Sequence, residues 1–231
     1  MSKQALLLLH GAIGSEKQLY PLAQTLQHEF DIYTLNFSGH GGTEIPTEPF
    51  SISLFSKDVL RWIEKHGYDK INIFGYSMGG YVALFLARYH PEKIGKIFTL
   101  ATKLHWDEAT AEKESQVLKT ERLMEKVPAF TQTLSERHGA EKWKTVLNKT
   151  AEMMIAMGSK PSLQFEDFEQ IQHSVRLSVG DKDKMVSLEE TIQVYRTLVD
   201  SSLLVLPQTQ HPIEGVSVNH LLYEITAFMN N

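Results

Sequence analysis

A serine with glycine two residues away on either side lies between a predicted strand and a predicted helix. Residues 71–74 are apolar enough for a buried strand, and residues 81–88 have the pattern of a helix. A serine on a sharp strand-to-helix turn needs almost no side chain at these flanking positions, because neighbouring backbone crowds them, and Gly75 and Gly79 meet this demand. The pattern therefore predicts a nucleophile elbow that exposes the Ser77 hydroxyl at the end of a sheet.

A serine hydroxyl is a poor nucleophile unless a base removes its proton, so Ser77 needs a histidine and an orienting carboxylate. His211 follows the last predicted strand, and this position favours it over the other histidines, among which His138 is expected at the surface. Asp181 and Asp183 both follow the strand before it. Either could cap the turn that leaves this strand, and reach alone does not separate them.

Acyl transfer also needs two backbone N–H groups that bind the oxyanion of the tetrahedral intermediate. Met78 follows the predicted nucleophile at the start of a helix, where the helix dipole favours negative charge. The second N–H is expected from residues 10–14, the loop after the first strand, whose small residues let the backbone approach a substrate oxygen. Ala12 is the preferred donor, and Ile13 is the alternative.

Strands and helices alternate over most of the chain. Six apolar runs predict strands at residues 5–9, 31–36, 71–75, 96–101, 174–179 and 203–206. Several of these runs are apolar at successive residues, as expected for a sheet that is covered on both faces. The alternation predicts crossover units and a parallel sheet, in which the loops that carry the serine, the aspartates and the histidine lie at one edge.

Residues 102–172 interrupt this alternation. They contain no convincing strand and are rich in charged residues, with apolar positions at helical spacing. We expect three or four helices that form a cap inserted between the fourth and fifth strands, with residues 1–101 and 173–231 as the core. The alternative is that these helices cover a second face of the main core.

Composition places limits on the class of protein. The chain has 231 residues, of which 42% are hydrophobic and 22% charged, as in ordinary soluble globular proteins. Its net charge of −5 is mild and gives no sign of a nucleic acid or an anionic membrane as partner. There is no cysteine, which excludes disulfides and thiolate chemistry.

The sequence also bears on location and partners. The apolar run at residues 5–9 is too short for the apolar region of a signal peptide, and no stretch approaches the length of a membrane span. We therefore expect a cytoplasmic protein whose partner is a small-molecule substrate. The predicted chemistry requires no metal and no cofactor.

Taken together, these features resemble the α/β-hydrolase superfamily, in its serine-nucleophile branch with a helical cap. The resemblance covers nearly the whole chain, and its marks are residues 10–11, residues 38–42, the elbow at Ser77, residues 180–186 and His211. The chain order of serine, acid and histidine is that of the family. The resemblance implies an α/β fold with a mainly parallel six-stranded sheet in the order 2-1-3-4-5-6.

The resemblance also implies roles for residues that the spacing alone leaves open. It selects Asp183 as the acid, three residues after the glycine that ends its strand, and Ala12, directly after His-Gly, as an oxyanion donor. One departure is that Gln210 precedes His211 where the family usually has glycine, so we expect a differently shaped loop there.

The leading functional hypothesis is a serine hydrolase of carboxylesterase type that cleaves a small-molecule ester or thioester through an acyl-enzyme. One alternative, implied by the similar frameworks of meta-cleavage product hydrolases and the menaquinone-pathway synthase, is carbon–carbon bond cleavage or a lyase step on an acidic metabolite. In that case Lys103, His105 and Trp106, at the start of the cap, would bind a carboxylate or ring; the simpler interpretation is that they are exposed. The other alternative is a non-catalytic small-molecule receptor of the same fold.

The residues that line the pocket are harder to predict. Trp143, Met153, Met154 and Met157 are candidates, although an apolar stripe at helical spacing is more typical of packing within the cap.

Overall fold

Six parallel strands form one sheet at the centre of the molecule. The computed structural model describes residues 3–231. The strands are β1 (Gln4–Leu9), β2 (Phe30–Leu35), β3 (Ile71–Tyr76), β4 (Ile94–Leu100), β5 (Ser174–Gly180) and β6 (Asp200–Leu206). All neighbouring pairs are parallel, and the order β2-β1-β3-β4-β5-β6 confirms the order that the resemblance implied.

Helices connect these strands and cover both faces of the sheet. They are α1 (Tyr20–Leu26), α2 (Ile52–His66), α3 (Met78–Tyr89), α4 (Glu108–Val117), α5 (Thr120–Lys126), α6 (Pro128–His138), α7 (Trp143–Ser159), α8 (Phe165–Phe168), α9 (Leu188–Thr197) and α10 (Val218–Asn230). Helix α2 shows how local sequence sets such bounds. The Ser51 hydroxyl accepts a hydrogen bond from the Leu54 N–H at its start, and Gly67 ends it with a φ of 70°.

The core lies on both sides of the sheet, which explains the runs of successive apolar residues. In β1, Leu7 and Leu9 pack in the cluster that contains residues of α2 and α3. Leu6 and Leu8 pack in the cluster that contains residues of α1 and α10. All four leucines are 0% exposed, so a buried parallel strand is apolar at every position.

The segment between β4 and β5 contains five helices, α4 to α8, rather than the expected three or four. Helices α5 and α8 are only 7 and 4 residues long, and such short helices have too few turns to give a clear period. Six buried side chains form a separate apolar cluster within this segment: Leu118, Leu123, Leu134, Trp143, Leu147 and Met154. The boundaries of the cap at residues 102 and 172 remain a prediction.

Two further features of the described residues bear on function. None of the helices within residues 3–231 combines the length and the apolar character that crossing a lipid bilayer requires. In the same part of the chain, no three histidine or acidic side chains are grouped so that they could hold a metal ion.

Candidate active site

Ser77 lies on a strained turn between β3 and α3. Its backbone has φ 51° and ψ −118°, a conformation that residues other than glycine rarely adopt. Two hydrogen bonds hold the turn: the Ser77 N–H donates to the Leu100 carbonyl at 2.8 Å, and the Thr102 hydroxyl donates to the Ser77 carbonyl at 3.1 Å. The half-buried side chain is thereby directed into a cavity, which it lines.

The glycines on either side of Ser77 allow the turn to form. A Cβ atom on Gly75 would lie 2.5 Å from the backbone of Gly80, and one on Gly79 would lie 2.4 Å from the Leu9 carbonyl oxygen. Both distances are far below van der Waals contact. The crowding that the sequence pattern predicted around the elbow is therefore confirmed.

His211 and Asp183 form a hydrogen-bonded pair beside the same cavity. His211 Nδ1 lies 2.8 Å from Asp183 Oδ2. The Asp183 side chain is 0% exposed, and its Oδ1 accepts hydrogen bonds from the N–H groups of Met185 and Val186 at 2.8 and 2.9 Å. Because a carboxylate only accepts hydrogen bonds, Nδ1 carries the proton, which leaves Nε2 able to accept one.

Asp183 is ionised at neutral pH. Burial raises the pKa of this carboxyl, but the hydrogen bond and charge of His211, together with the backbone N–H groups of Val186 and Met185, outweigh that effect and lower the pKa below its usual value. The carboxylate therefore holds the imidazole in one orientation and stabilises its charged form.

Asp181, the other candidate for the acid, has different hydrogen-bond partners. Its side chain is exposed, its Oδ1 accepts a hydrogen bond from the Thr209 N–H at 3.3 Å, and its own N–H donates to the Leu206 carbonyl at 3.0 Å. At Gly180, a Cβ atom would lie 2.1 Å from the Thr209 carbonyl oxygen. This close approach packs the loop after β5, which carries Asp183, against the loop after β6, which carries His211.

Tyr76 also holds His211 in place, and no sequence pattern pointed to it. Its hydroxyl donates a hydrogen bond to the His211 carbonyl at 3.1 Å. Burial raises the pKa of Tyr76, so the hydroxyl stays protonated. The residue before the serine therefore fixes the backbone of the histidine loop.

The two predicted oxyanion donors face the same cavity. Ala12 and Met78 line it together with Ser77. Within residues 3–231, neither backbone N–H donates to another backbone group, so both remain available to a substrate oxygen. A Cβ atom on Gly11 would lie 3.1 Å from the Ser77 Cβ, so the loop after β1 passes close to the serine.

Helix α6 holds the loop after β1. The Ile13 carbonyl accepts hydrogen bonds from Arg137 Nη1 and from His138 Nε2, both at 2.9 Å. His138 Nδ1 accepts from the Gly41 N–H at 3.1 Å, so this imidazole also joins the loop after β2. The expectation that His138 lies at the surface is wrong, because it is 1% exposed and burial lowers its pKa to about 4. Ile13 itself has a φ of 50°, a second strained residue beside Ser77.

His10 supports the same loops from within the core. Its Nε2 accepts a hydrogen bond from the Phe37 N–H at 3.2 Å, and its Nδ1 lies 2.8 Å from the Gly11 carbonyl. Burial lowers the pKa of His10 to about 3, so the ring is neutral. It thus joins the loops after β1 and β2 by hydrogen bonds alone.

The cavity has a volume of about 260 Å³ and a mainly apolar wall. Met153, Met154 and Met157 of α7 line it, as one of the two interpretations of this stripe predicted. Trp143 instead packs in the apolar cluster within the segment between β4 and β5. Helix α7 therefore serves both as wall and as internal packing.

The three residues expected to bind an acidic substrate have different surroundings. Lys103 and Trp106 line the cavity. The Lys103 ammonium donates to the Met185 carbonyl at 2.9 Å and lies 3.4 Å from Glu190 Oε2, so its charge is already paired. The structure does not bring His105 to the cavity: its side chain is 61% exposed and contacts Asp107 at 3.2 Å.

This fold and this arrangement define a class of protein. Residues 4–160 match the family described as alpha/beta hydrolase fold, and the chain belongs to that family. The resemblance to the α/β-hydrolase superfamily, stated from the sequence, is thereby confirmed.

Particular relatives show how far the similarity extends. A probable alcohol acetyltransferase from Cyberlindnera fabianii is 35% identical over 92 residues, which are 39% of this chain and 25% of that protein. The match thus spans about a quarter of the length of that relative.

Solved structures match over nearly the whole chain. The 2-hydroxy-6-oxo-6-phenylhexa-2,4-dienoate hydrolase from Rhodococcus sp. strain RHA1 has a TM-score of 0.81 and 19% identity, with 99% of this chain and 91% of that one covered. A thermophilic esterase from Thermogutta terrifontis has a TM-score of 0.80 and 18% identity, with 99% and 90% covered. At these identities the likeness shows the fold alone.

Proposed function

We propose that the protein is a serine hydrolase that cleaves a small-molecule ester or thioester through an acyl-enzyme. One observation carries this proposal: His211 is bonded at 2.8 Å to a buried aspartate and lines the same cavity as a serine on a strained elbow. A base with a fixed tautomer and a serine hydroxyl that line one cavity provide the groups that nucleophilic acyl transfer requires.

The chemistry runs in two halves. His211 Nε2 takes the proton of the Ser77 hydroxyl as its oxygen attacks the carbonyl carbon, and the Asp183 carboxylate stabilises the imidazolium that forms. The imidazolium then gives its proton to the leaving alcohol or thiol as the acyl–oxygen or acyl–sulfur bond breaks. In the second half, His211 deprotonates water, which attacks the acyl-enzyme and releases the acid and free Ser77.

The oxyanion formed in each half would be bound by the N–H groups of Ala12 and Met78. Each such donor contributes about 10²–10³ in kcat in serine hydrolases, because it is fixed before the charge develops. The hydrogen bonds from Arg137 and His138 to the Ile13 carbonyl support this role, since they restrain the loop that carries Ala12.

The cavity favours a compact substrate over a polypeptide. Its volume of about 260 Å³ lies just below the range of about 300–1,000 Å³ that is typical of small-molecule pockets, and its wall is mainly apolar. A short or medium acyl chain packed against the methionines of α7 fits this space. The steps above use neither a metal nor a cofactor.

Turnover of p-nitrophenyl acetate and butyrate tests the proposal. We expect wild-type protein to hydrolyse at least one of these esters and Ser77→Ala to lower kcat/KM by several orders of magnitude with an unchanged melting temperature. A fluorophosphonate should label wild-type protein on the peptide that contains Ser77. If wild type is inert and unlabelled while a small molecule raises its melting temperature, the protein is a receptor of the same fold.

Transfer of the acyl group to an alcohol is a second candidate that shares the first half-reaction. The similarity to a probable alcohol acetyltransferase supports it. Adding ethanol to a reaction with p-nitrophenyl butyrate separates the two, because transfer yields ethyl butyrate and hydrolysis yields butyrate. We rank carbon–carbon cleavage of an acidic metabolite lower, because Lys103 is already paired with Glu190.

A further inference from the structure

Two polar side chains in the cavity wall lack hydrogen-bond partners. Within the described residues, buried Trp106 Nε1 and Glu114 Oε1 have none, and both residues line the cavity. Glu114 is only 4% exposed, although it is one of the residue types that proteins least often bury. Leaving a buried donor and a buried acceptor unpaired is costly, which points to a ligand that supplies both partners.

The charged groups nearest to Glu114 do not satisfy it. Lys113 Nζ lies 3.8 Å from Glu114 Oε1, beyond hydrogen-bond length, and the Lys113 side chain is 69% exposed. The lysine and the arginine that line the cavity are engaged elsewhere: Lys103 with Met185 and Glu190, and Arg137 with the Ile13 carbonyl. The carboxylate therefore remains able to accept from a substrate.

Two local contacts restrain the backbone around this pair. Asp107 caps α4 by accepting a hydrogen bond from the Thr110 N–H at 2.7 Å, which fixes the turn directly after Trp106. Helix α4 packs closely on α7, where a Cβ atom on Gly158 would lie 2.4 Å from the Ala111 side chain. Glu114 is one turn beyond Ala111, so its position is set before a substrate binds.

The two groups differ in what they can bind. A carboxylate only accepts hydrogen bonds, and an indole N–H only donates one. A hydroxyl group can donate to the first and accept from the second at the same time. An ammonium group would leave the indole unpaired, a substrate carboxylate would be repelled by Glu114, and a plain alkyl chain would satisfy neither.

We propose that Glu114 and Trp106 form a specificity site that selects acyl groups carrying a hydroxyl. This inference rests on the proposed cleavage of esters or thioesters and names the substrate class for that site. In the apolar surroundings that the methionines of α7 provide, such hydrogen bonds are stronger than in water and discriminate more sharply.

A set of matched thioesters tests the site. N-acetylcysteamine thioesters of hexanoate, 3-hydroxyhexanoate, 6-hydroxyhexanoate and 6-aminohexanoate differ only in the polar group and its position. We expect wild-type kcat/KM for at least one hydroxyacyl thioester to exceed that for the hexanoyl thioester about tenfold or more, as expected when a binding site hydrogen-bonds a hydroxyl.

Variants assign this preference to the two side chains. Trp106→Phe removes the N–H and keeps a ring, and Glu114→Met removes the acceptor and keeps the volume. Each should bring the ratio of hydroxyacyl to hexanoyl kcat/KM to within about twofold of unity, mainly through a loss of hydroxyacyl kcat/KM. Glu112→Met, on the exposed side of the same helix, should leave the ratio unchanged.

Each remaining outcome overturns the inference. If wild type cleaves the hexanoyl and hydroxyacyl thioesters equally well, the specificity site is absent while the proposed hydrolase function stands. If wild type prefers the 6-aminohexanoyl thioester, the site binds a cation and not a hydroxyl, and the inference is wrong. If no thioester or p-nitrophenyl ester is cleaved and the fluorophosphonate leaves Ser77 unlabelled, both this inference and the proposed function fail.

Discussion

Ser77 and Asp183 illustrate two ways in which single residues are prepared for chemistry. Ser77 has a φ of 51°, a backbone conformation that costs on the order of 1–3 kcal/mol. It is held there because its N–H donates a hydrogen bond to the Leu100 carbonyl and its own carbonyl accepts one from the Thr102 hydroxyl. Asp183 is buried as a carboxylate because three hydrogen bonds satisfy its oxygens. Both residues depend on neighbours that supply the stabilisation they lack on their own.

Replacing Asp183 by asparagine tests whether this carboxylate orients His211. An asparagine can present its NH₂ group to Nδ1, which would then need to be unprotonated and would leave Nε2 protonated and unable to act as base. We expect kcat to fall by about 10⁴-fold, as found for the equivalent change in serine proteases. The measurement is steady-state hydrolysis of p-nitrophenyl butyrate.

Asp181→Asn is the matched control, because Asp181 lies two residues away on the same loop and bonds the Thr209 N–H instead. Asparagine keeps an oxygen for that bond, so we expect activity within about threefold of wild type and a loss of stability below ~1 kcal/mol. If Asp183→Asn and Asp181→Asn lower the activity equally, Asp183 is not the residue that specifically orients His211.

At the scale of elements, α6 contributes to a site that lies at the ends of strands. Arg137 and His138, at its C-terminal end, both donate to the carbonyl of Ile13. The bonded residues are 124 and 125 positions apart in the sequence. These contacts join the segment between β4 and β5 to the loop after β1. The position of Ala12 therefore depends on a helix that the sequence pattern did not connect with it.

Arg137→Met tests this dependence. Without the guanidinium, the Ile13 carbonyl loses one donor and the loop gains freedom, so the Ala12 N–H is less well aligned with the oxyanion. We expect kcat to fall about tenfold with a smaller change in KM, because the alignment matters most in the transition state. Kinetics on p-nitrophenyl butyrate give both constants.

Lys142→Met is the control for Arg137→Met. Lys142 also joins this segment to the core by donating to carbonyl groups, those of Gly42 and Thr43 at 3.2 Å, but it does not touch Ile13. It should therefore change kcat by less than twofold. If Arg137→Met instead raises KM and leaves kcat unchanged, Arg137 contacts the substrate rather than holding the loop.

The sheet was predictable because buried parallel strands are apolar at every position, whereas contacts between distant segments leave no such pattern. The strand predicted at residues 71–75 is found at Ile71–Tyr76, and that predicted at 174–179 is found at Ser174–Gly180. The elbow followed from local crowding at Gly75 and Gly79. Neither the burial of His138 nor the bond from Tyr76 to the His211 loop could be predicted, since each depends on a partner far away in sequence.

For the molecule as a whole, three buried histidines couple folding to pH: His10, His40 and His138. Burial lowers the pKa of His10 to about 3 and that of His138 to about 4, both from 6.5, and it lowers the pKa of His40 well below 6.5. In the unfolded chain these rings take up protons below about pH 6.5, whereas the folded protein resists protonation until far lower pH. The unfolded state therefore binds more protons in this window, and the free energy of unfolding falls as the pH is lowered.

Asp183 changes stability in the same direction for a different reason. Its pKa is lower in the folded protein than its usual value, so its contribution is present at neutral pH and is lost as the pH falls through the folded-state pKa. This loss begins below the range in which the unfolded histidines start to protonate. The histidines therefore dominate between pH 6.5 and 4.

We expect the free energy of unfolding, measured by urea denaturation, to fall by about 2–3 kcal/mol for each buried histidine between pH 7 and pH 4. His138→Gln removes one of these groups, so its stability should be lower at pH 7, but the slope between pH 6 and pH 4 should decrease by about 1 kcal/mol per pH unit. His28→Gln, at an exposed position, should leave the slope unchanged. Parallel curves for wild type and His138→Gln would mean that His138 takes up its proton at the same pH in the folded protein as in the unfolded chain, so that the folded ring becomes charged between pH 6 and pH 4. That result would in turn require Gly41 to give up its hydrogen bond to Nδ1, because a charged imidazole has no acceptor.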